Sequence, residues 1–208
     1  QDQGRRPDYR RAPTDTGAIG ALVRVATCIS GHVEVMVNCG PLFNYGTAGP
    51  TWGYRGEGYD AMTAAPANGD VRLELAGSIQ LGVLGARAYG RTTLTQGQSA
   101  FVVLSWGDAK VPANQEEASA ALDTTVDFWR DWLSTATIPD HPWKPYLDRS
   151  ALTLKGLSYA PTGAIMAAST TSLPETPGGA RNWDYRFTWI RDSSFMLRSL
   201  YRLGFAWE

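Results

Sequence analysis

Apolar residues follow two regimes along this chain, a period near two before Trp106 and a period near 3.6 after Asn114. In the first regime residues 22–28 read as a strand, Ser30-Gly31-His32 as a hairpin turn, and residues 33–39 as the returning strand. The second of these alternates strictly, with Val33, Val35, Val37 and Cys39 on one face. Further strands are expected over 51–54, 71–75, 78–84, 86–94 and 100–106, with Asn68-Gly69-Asp70, Gly82, Gly85, Gly90 and Gln96-Gly97 between or within them. Short strands at regular spacing with glycine-rich turns predict an antiparallel sandwich.

The second regime opens at Asn114, an N-cap with Glu117 three positions on, which is the capping-box spacing. Ala118, Leu122, Val126, Trp129 and Leu133 follow at helical spacing, and Ala121, Thr125, Phe128 and Trp132 widen the stripe. The helix is expected to end near Ser134. Residues 137–142 hold two prolines and read as a linker. A second helix starts near Trp143, buries Leu147, Ala151, Leu154 and Leu157 or Ser158, and stops at Ala160-Pro161-Thr162-Gly163. Residues 170–191 form a loop of a length that is usually functional. A third helix begins at Asp192 or Ser193, buries Met196, Leu200 and Leu203, and ends at Gly204.

Composition narrows the function. Lys+Arg is 19 and Asp+Glu 20, so the net charge is −1, which points to neither a nucleic-acid nor a membrane-surface partner. The arm over residues 1–16 carries Arg5-Arg6 and Arg10-Arg11, expected to be solvated or, in a homo-oligomer, to touch a second subunit. Two cysteines, Cys28 and Cys39, flank the expected hairpin turn out of register for a disulfide. Free thiols, no signal peptide and no apolar span predict a cytoplasmic protein. His32 and His141 sit apart, in a turn and a linker, so no metal site and no cofactor are expected.

Chemistry concentrates in residues 182–192, Asn-Trp-Asp-Tyr-Arg-Phe-Thr-Trp-Ile-Arg-Asp, with four aromatic rings, two arginines and two aspartates. Aromatic faces stack on sugar rings, and Arg and Asp bind hydroxyls from fixed directions. Just before it, residues 163–175 are small and hydroxyl-rich and end at Glu175. Asp184, Asp192 and Glu175 are the carboxylates in a promising setting. Glycoside cleavage needs two carboxyls, but Asp192 at a helix start is more simply an N-cap, and an Asp beside an Arg stays charged and suits hydrogen bonding better than acid catalysis. Glu175, after Pro174, is read as fixing the loop. Trp129 and Trp132 are read as packing residues, and Phe128 and Phe195 as core.

These stretches resemble the glucoamylase-like glycoside hydrolases of family fifteen. The match is most specific over residues 150–203 and ends in the motif Trp189-Ile190-Arg191-Asp192. The wording there is closest to the actinobacterial trehalase branch. The resemblance implies a multidomain β + α chain: an antiparallel β-sandwich of the super-sandwich type over 1–108, incomplete at its N-terminus, a helical linker over 109–141, and the first helices of an (α/α)6 toroid over 142–208. It implies an inverting, exo-acting α-glucosidase that releases glucose from α,α-trehalose, or, as alternatives, a glucoamylase or glucodextranase acting on α-glucan ends. Arg191 and Asp192 would hold hydroxyls of the terminal glucose, Tyr185 would stack on it and Trp189 would shape the wall. Trp183, Asp184 and Arg186 are weaker assignments. The family's two catalytic glutamates would lie beyond Glu208, in the remainder of the toroid, so residues 1–208 alone are expected to be inactive. A rival reading is a non-catalytic carbohydrate-binding or structural module, with Trp52, Tyr54 and Tyr59 in a Gly-rich loop as its aromatic cluster.

Overall fold

The computed structural model describes residues 18–107, 110–170 and 176–208. Chain contacts divide it into two compact units, with the boundary between Thr125 and Val126. The arm over residues 1–16 and Glu175 lie outside the described residues.

The first unit is an antiparallel sandwich. Its strands are β1 (Ala21–Thr27), β2 (His32–Cys39), β3 (Pro50–Tyr54), β4 (Ala61–Pro66), β5 (Leu73–Gly77), β6 (Gly82–Leu84), β7 (Arg87–Thr95) and β8 (Ser99–Trp106). One sheet has the order β1-β8-β5-β4-β3 and the other β2-β7-β6. The expected β1–β2 hairpin is corrected here. β1 pairs with β8, in register Val23 opposite Val103, while β2 pairs with β7, in register Val35 opposite Thr92. The turn at Ser30-Gly31 therefore carries the chain from one sheet to the other. Alternation told correctly that Val35, Val37 and Cys39 of β2 turn inward, but a period of two does not say which strand is the neighbour.

The core lies between the sheets. Leu94 of β7 and Ala100 of β8 meet with Cys28 and Ile79, and Val35, Val37 and Val102 pack around them. Met62 of β4, Leu75 of β5, Leu81 and Ala88 of β7 form the adjoining cluster. Val33, expected on the buried face, is 43% exposed at the outer end of its strand. β4 was not anticipated, because its Ala-Met-Thr-Ala-Ala-Pro sequence is weak in β-branched residues; Met62 and Ala64 nevertheless have no exposed surface.

Residues 78–84 are not one strand. After Gly77 the chain leaves the five-stranded sheet, buries Ile79 and Leu81 between the sheets, and joins the other sheet only at Gly82. Gly90 of β7 makes room for this crossing, since a Cβ there would lie 2.5 Å from the Gln80 carbonyl oxygen. Both cysteines are free thiols, Cys28 buried and Cys39 half-buried; burial pushes the Cys39 thiol up, partly offset by Arg87. A cavity of about 640 Å³ also lies between the sheets, lined by Leu22, Arg24, Val37 and Leu104 among others. It contains none of the residues of the 182–192 motif.

Helix α1 spans Gln115–Ser134. Its start follows the capping reading in part: the Glu117 N–H donates to Asn114 Oδ1 at 2.9 Å, but the Glu117 carboxylate accepts from the Ala113 N–H at 3.0 Å and the Asn114 side-chain amide at 3.1 Å rather than from the Asn114 backbone. Its first turns pack Ala118 against Phe101 and Val103, on the face of β8 turned away from the other sheet. Leu122, placed on the buried stripe by its spacing, is 48% exposed.

The second unit contains the end of α1, then α2 (Lys144–Gly156), a short hairpin of β9 (Ser158–Tyr159) and β10 (Ala164–Ile165), and α3 (Ile190–Arg202). Trp132, Ala151, Leu200 and Phe205 form its core, with Trp129, Leu133, Leu154 and Leu203 packed around them. The Trp132 and Phe205 rings stack at 4.1 Å with an interplanar angle of 5°. The Trp132 indole N–H donates to Glu208 Oε1 at 2.8 Å, and Lys155 Nζ donates to Glu208 Oε2 at 2.8 Å. Phe195, expected in the core, is 64% exposed.

Two helix ends differ from expectation. α2 stops at Gly156, and Pro161-Thr162-Gly163 serves the turn of the β9–β10 hairpin, with Gly163 at φ +74° and its N–H donating to the Tyr159 carbonyl. α3 begins at Ile190 rather than at Asp192 or Ser193. Gly204 ends it as expected, at φ +92°, packed so close to Thr137 that a Cβ would lie 2.7 Å from the Thr137 nitrogen.

Candidate functional site

The site lies within the second unit, where the segment after β10 leads into α3. Two backbone hydrogen bonds hold its strands together: the Ala168 N–H donates to the Tyr185 carbonyl at 2.7 Å and the Ala167 N–H to the Phe187 carbonyl at 3.2 Å. The hydroxyl-rich stretch thus contributes main chain to this contact. Side-chain chemistry could not announce that, because every residue except proline carries the same N–H.

Trp189 is the centre. Its backbone is extended, φ −106° and ψ 124°, and its carbonyl accepts from the Ser193 N–H at 2.9 Å, which opens α3. The Tyr185 ring stacks on the Trp189 ring at 5.1 Å and 14°, and Trp183 meets it edge-on at 6.4 Å. The Arg191 guanidinium lies 5.3 Å from the Trp189 ring centroid. Arg191 also donates to Asp192 Oδ2 at 3.1 Å, with the arginine side chain largely exposed and the aspartate partly so. The reading of Asp192 as N-cap is corrected: it stands third in the helix, and no side chain caps Trp189. There it faces the positive end of the helix dipole.

Asp184 turns to a different partner. Its Oδ1 accepts from the Arg186 backbone N–H and from Arg186 Nε, both at 3.0 Å, and its Oδ2 accepts from Arg186 NH2 at 2.6 Å. This fork was not anticipated; the signal for it is an Asp two residues before an Arg, a spacing an Asx turn can close. The Arg186 hydrogen bonds, side chain first and then backbone, hold the Asp184 carboxyl down to about 2. Since the folded value is depressed, the stabilisation is complete above about pH 4, the ordinary aspartate value, and is lost as pH falls through about 2. The stability difference between wild type and Asp184→Asn should therefore be flat from about pH 5 to 8 and shrink below about 4. Calorimetry across that range checks it, and a difference that changes between about pH 6 and 8 contradicts the assignment.

Among the sequence-derived candidates, the fold brings Trp183, Tyr185, Trp189, Arg191 and Asp192 together around one indole, and engages Asp184 with Arg186. A pair of stacked rings, a guanidinium and a carboxylate side by side can pack against a pyranose and bind adjacent hydroxyls. Among the described residues no cluster of three or more His, Cys, Asp or Glu could hold a metal ion. The rival aromatic cluster is arranged otherwise. Trp52 and Tyr54 belong to β3, not to a loop; Trp52 packs against the sandwich core and donates its indole N–H to the Ala86 carbonyl at 3.0 Å. Tyr54 and Tyr59 meet edge to face at 5.1 Å and 81°, which is not a flat platform.

Sequence comparison shows what these residues are similar to. Residues 143–208, which include the whole site, match Glycosyl hydrolases family 15. The chain is 49% identical over 199 residues to a trehalase of Mycolicibacterium smegmatis and 48% identical over 199 residues to a trehalase of Mycobacterium tuberculosis, in each case over 94% of its own length. It is 32% identical over 186 residues to a trehalase of Thermoplasma volcanium, covering 89% of its length. The chain spans about 30% of the length of these relatives.

Proposed function

We propose that this chain is part of an exo-acting, inverting α-glucoside hydrolase that releases glucose from α,α-trehalose. The observation that carries the reading is the Trp189-centred cluster, lying inside the region that matches family 15. The trehalase names of its relatives favour trehalose among α-glucosides. In this reading residues 1–108 are the sandwich domain, 109–141 the helical linker, and 142–208 the start of an (α/α)6 toroid. Tyr185 and Trp189 form an apolar wall for the departing glucose, and Trp183 supports it. Arg191 and Asp192 hold its hydroxyls.

Glycoside hydrolysis with inversion needs an acid to protonate the leaving oxygen and a base to activate water on the opposite face of the ring. Asp184 is a poor acid, since Arg186 keeps it ionised. The acid and base are assigned to glutamates of the toroid outside residues 1–208. This chain's share of catalysis is then orientation, which can lower a barrier by several kcal/mol but cannot replace proton transfer. The two free thiols fit a reducing, cytoplasmic compartment. Among the described residues no helix is long and apolar enough to cross a membrane.

The test is glucose release by the full-length protein from trehalose and from maltotriose. Release from trehalose alone supports the reading. Release from maltotriose moves the protein to the glucoamylase type, and release from neither overturns the hydrolase assignment.

A further inference from the structure

We propose that Asp184 and Arg186 are positioning residues, a clasp that closes around Tyr185 and sets the Tyr185–Trp189 platform, rather than ligands of the sugar. The inference rests on the function proposed above and reassigns Asp184 within it. The geometry has three parts. The carboxylate of Asp184 is occupied on both oxygens by Arg186, from side chain and backbone. The residue enclosed by that ring is Tyr185, whose direction is thereby restricted; its carbonyl is tied separately to the Ala168 N–H. The carbonyl of Asp184 accepts from the Trp189 indole N–H at 3.3 Å, so the same residue that engages Arg186 also orients the second ring of the stack. A carboxylate gripped by a forked arginine has little capacity left for a sugar hydroxyl. A group that fixes two stacked rings binds the sugar indirectly, in the ground state and the transition state alike, so its loss raises KM and spares kcat.

The experiment uses the full-length protein with Asp184→Asn, Arg186→Gln and the double variant. Amide hydrogen exchange over residues 183–193 reads the clasp without reference to activity. Each single variant should speed exchange there by about tenfold, and the double variant should go no further, because the two residues act as one unit. With trehalose each variant should raise KM by about tenfold with kcat within about twofold, and the penalty should persist with every monodeoxy-trehalose tested. Unchanged exchange in the single variants overturns the clasp. A penalty that vanishes with one particular deoxy sugar also overturns it, since that identifies Asp184 as a direct hydroxyl ligand. If the wild-type protein turns over no glucoside, the proposed function fails on that ground, while the exchange data still decide whether the clasp orders the segment.

Discussion

Replacing Arg191 by alanine, or Asp192 by asparagine, is expected under the proposed function to lower kcat/KM of the full-length protein for trehalose by ten- to roughly a hundredfold. A hydrogen bond to a charged group contributes about 1.5–3 kcal/mol, and each 1.4 kcal/mol is about tenfold. Two features of the site put both residues at that level. Arg191 lies over the Trp189 ring, so its guanidinium is held in place beside the Tyr185–Trp189 stack. Asp192 is paired with Arg191 at 3.1 Å in the first turn of α3, where the helix dipole favours its charge. Asp192→Asn keeps the shape and removes the charge, so it isolates the electrostatic part. Arg191→Lys keeps the charge without the planar fork and should fall between wild type and alanine. Steady-state kinetics with trehalose checks this. Activity indifferent to both substitutions would return the motif to a structural role.

Trp132→Ala should destabilise the second unit by about 3–5 kcal/mol, the range for truncating a buried aromatic residue. Trp132 is 3% exposed and stacks flat on Phe205, with Ala151 and Leu200 completing the cluster. The substitution does more than open a cavity. The indole N–H is one of two donors to the Glu208 carboxylate, the other being Lys155, and that ion pair is 11% and 8% exposed at its two side chains. Removing a partner from a buried ion pair is costly because the remaining charges are poorly solvated. Trp132→Phe retains most of the packing and loses only the donor, at a cost of about 1–3 kcal/mol. Calorimetry of the full-length protein separates the two: the alanine variant should melt well below the phenylalanine variant. Equal melting temperatures for wild type and Trp132→Ala would contradict the packing assignment.

Much of the local structure was legible in the residues. Asn114 caps the first helix through the Glu117 N–H, that helix ends at Ser134, and Gly204 stops the third. These are decided by interactions within a few positions of each other, so they survive translation from pattern to structure. The aromatic and charged content of residues 182–192 likewise needed no fold to be noticed. The start of α3, read two or three residues late, is a local miss; most of the rest that went astray depended on partners farther along the chain. The Ser30-Gly31 turn looked like a hairpin turn, but β8 and β7 outcompete β1 and β2 as each other's neighbours. Pro161-Thr162-Gly163 is a breaker in either context, and the pairing of β9 with β10 decided which structure it ends.

By itself, then, the amino-acid sequence determined the two periodic regimes, the first helix's cap at Asn114, the stop at Gly204 and the chemical inventory of the motif, since each depends on residue type and near spacing. The tertiary structure alone decided which strands pair, that Ser78 to Leu81 crosses between sheets through the space Gly90 leaves, and how the motif is divided. Within that motif, Trp183, Tyr185 and Arg191 gather at Trp189 and Asp192 pairs with Arg191, while Asp184 is taken by Arg186. The physical reason is that a carboxylate's partner is set by distance and direction in space. Asp184 and Asp192 stand beside aromatic and arginine neighbours in much the same way along the chain, and only the turn at Tyr185 and the start of α3 at Ile190 send them to different arginines.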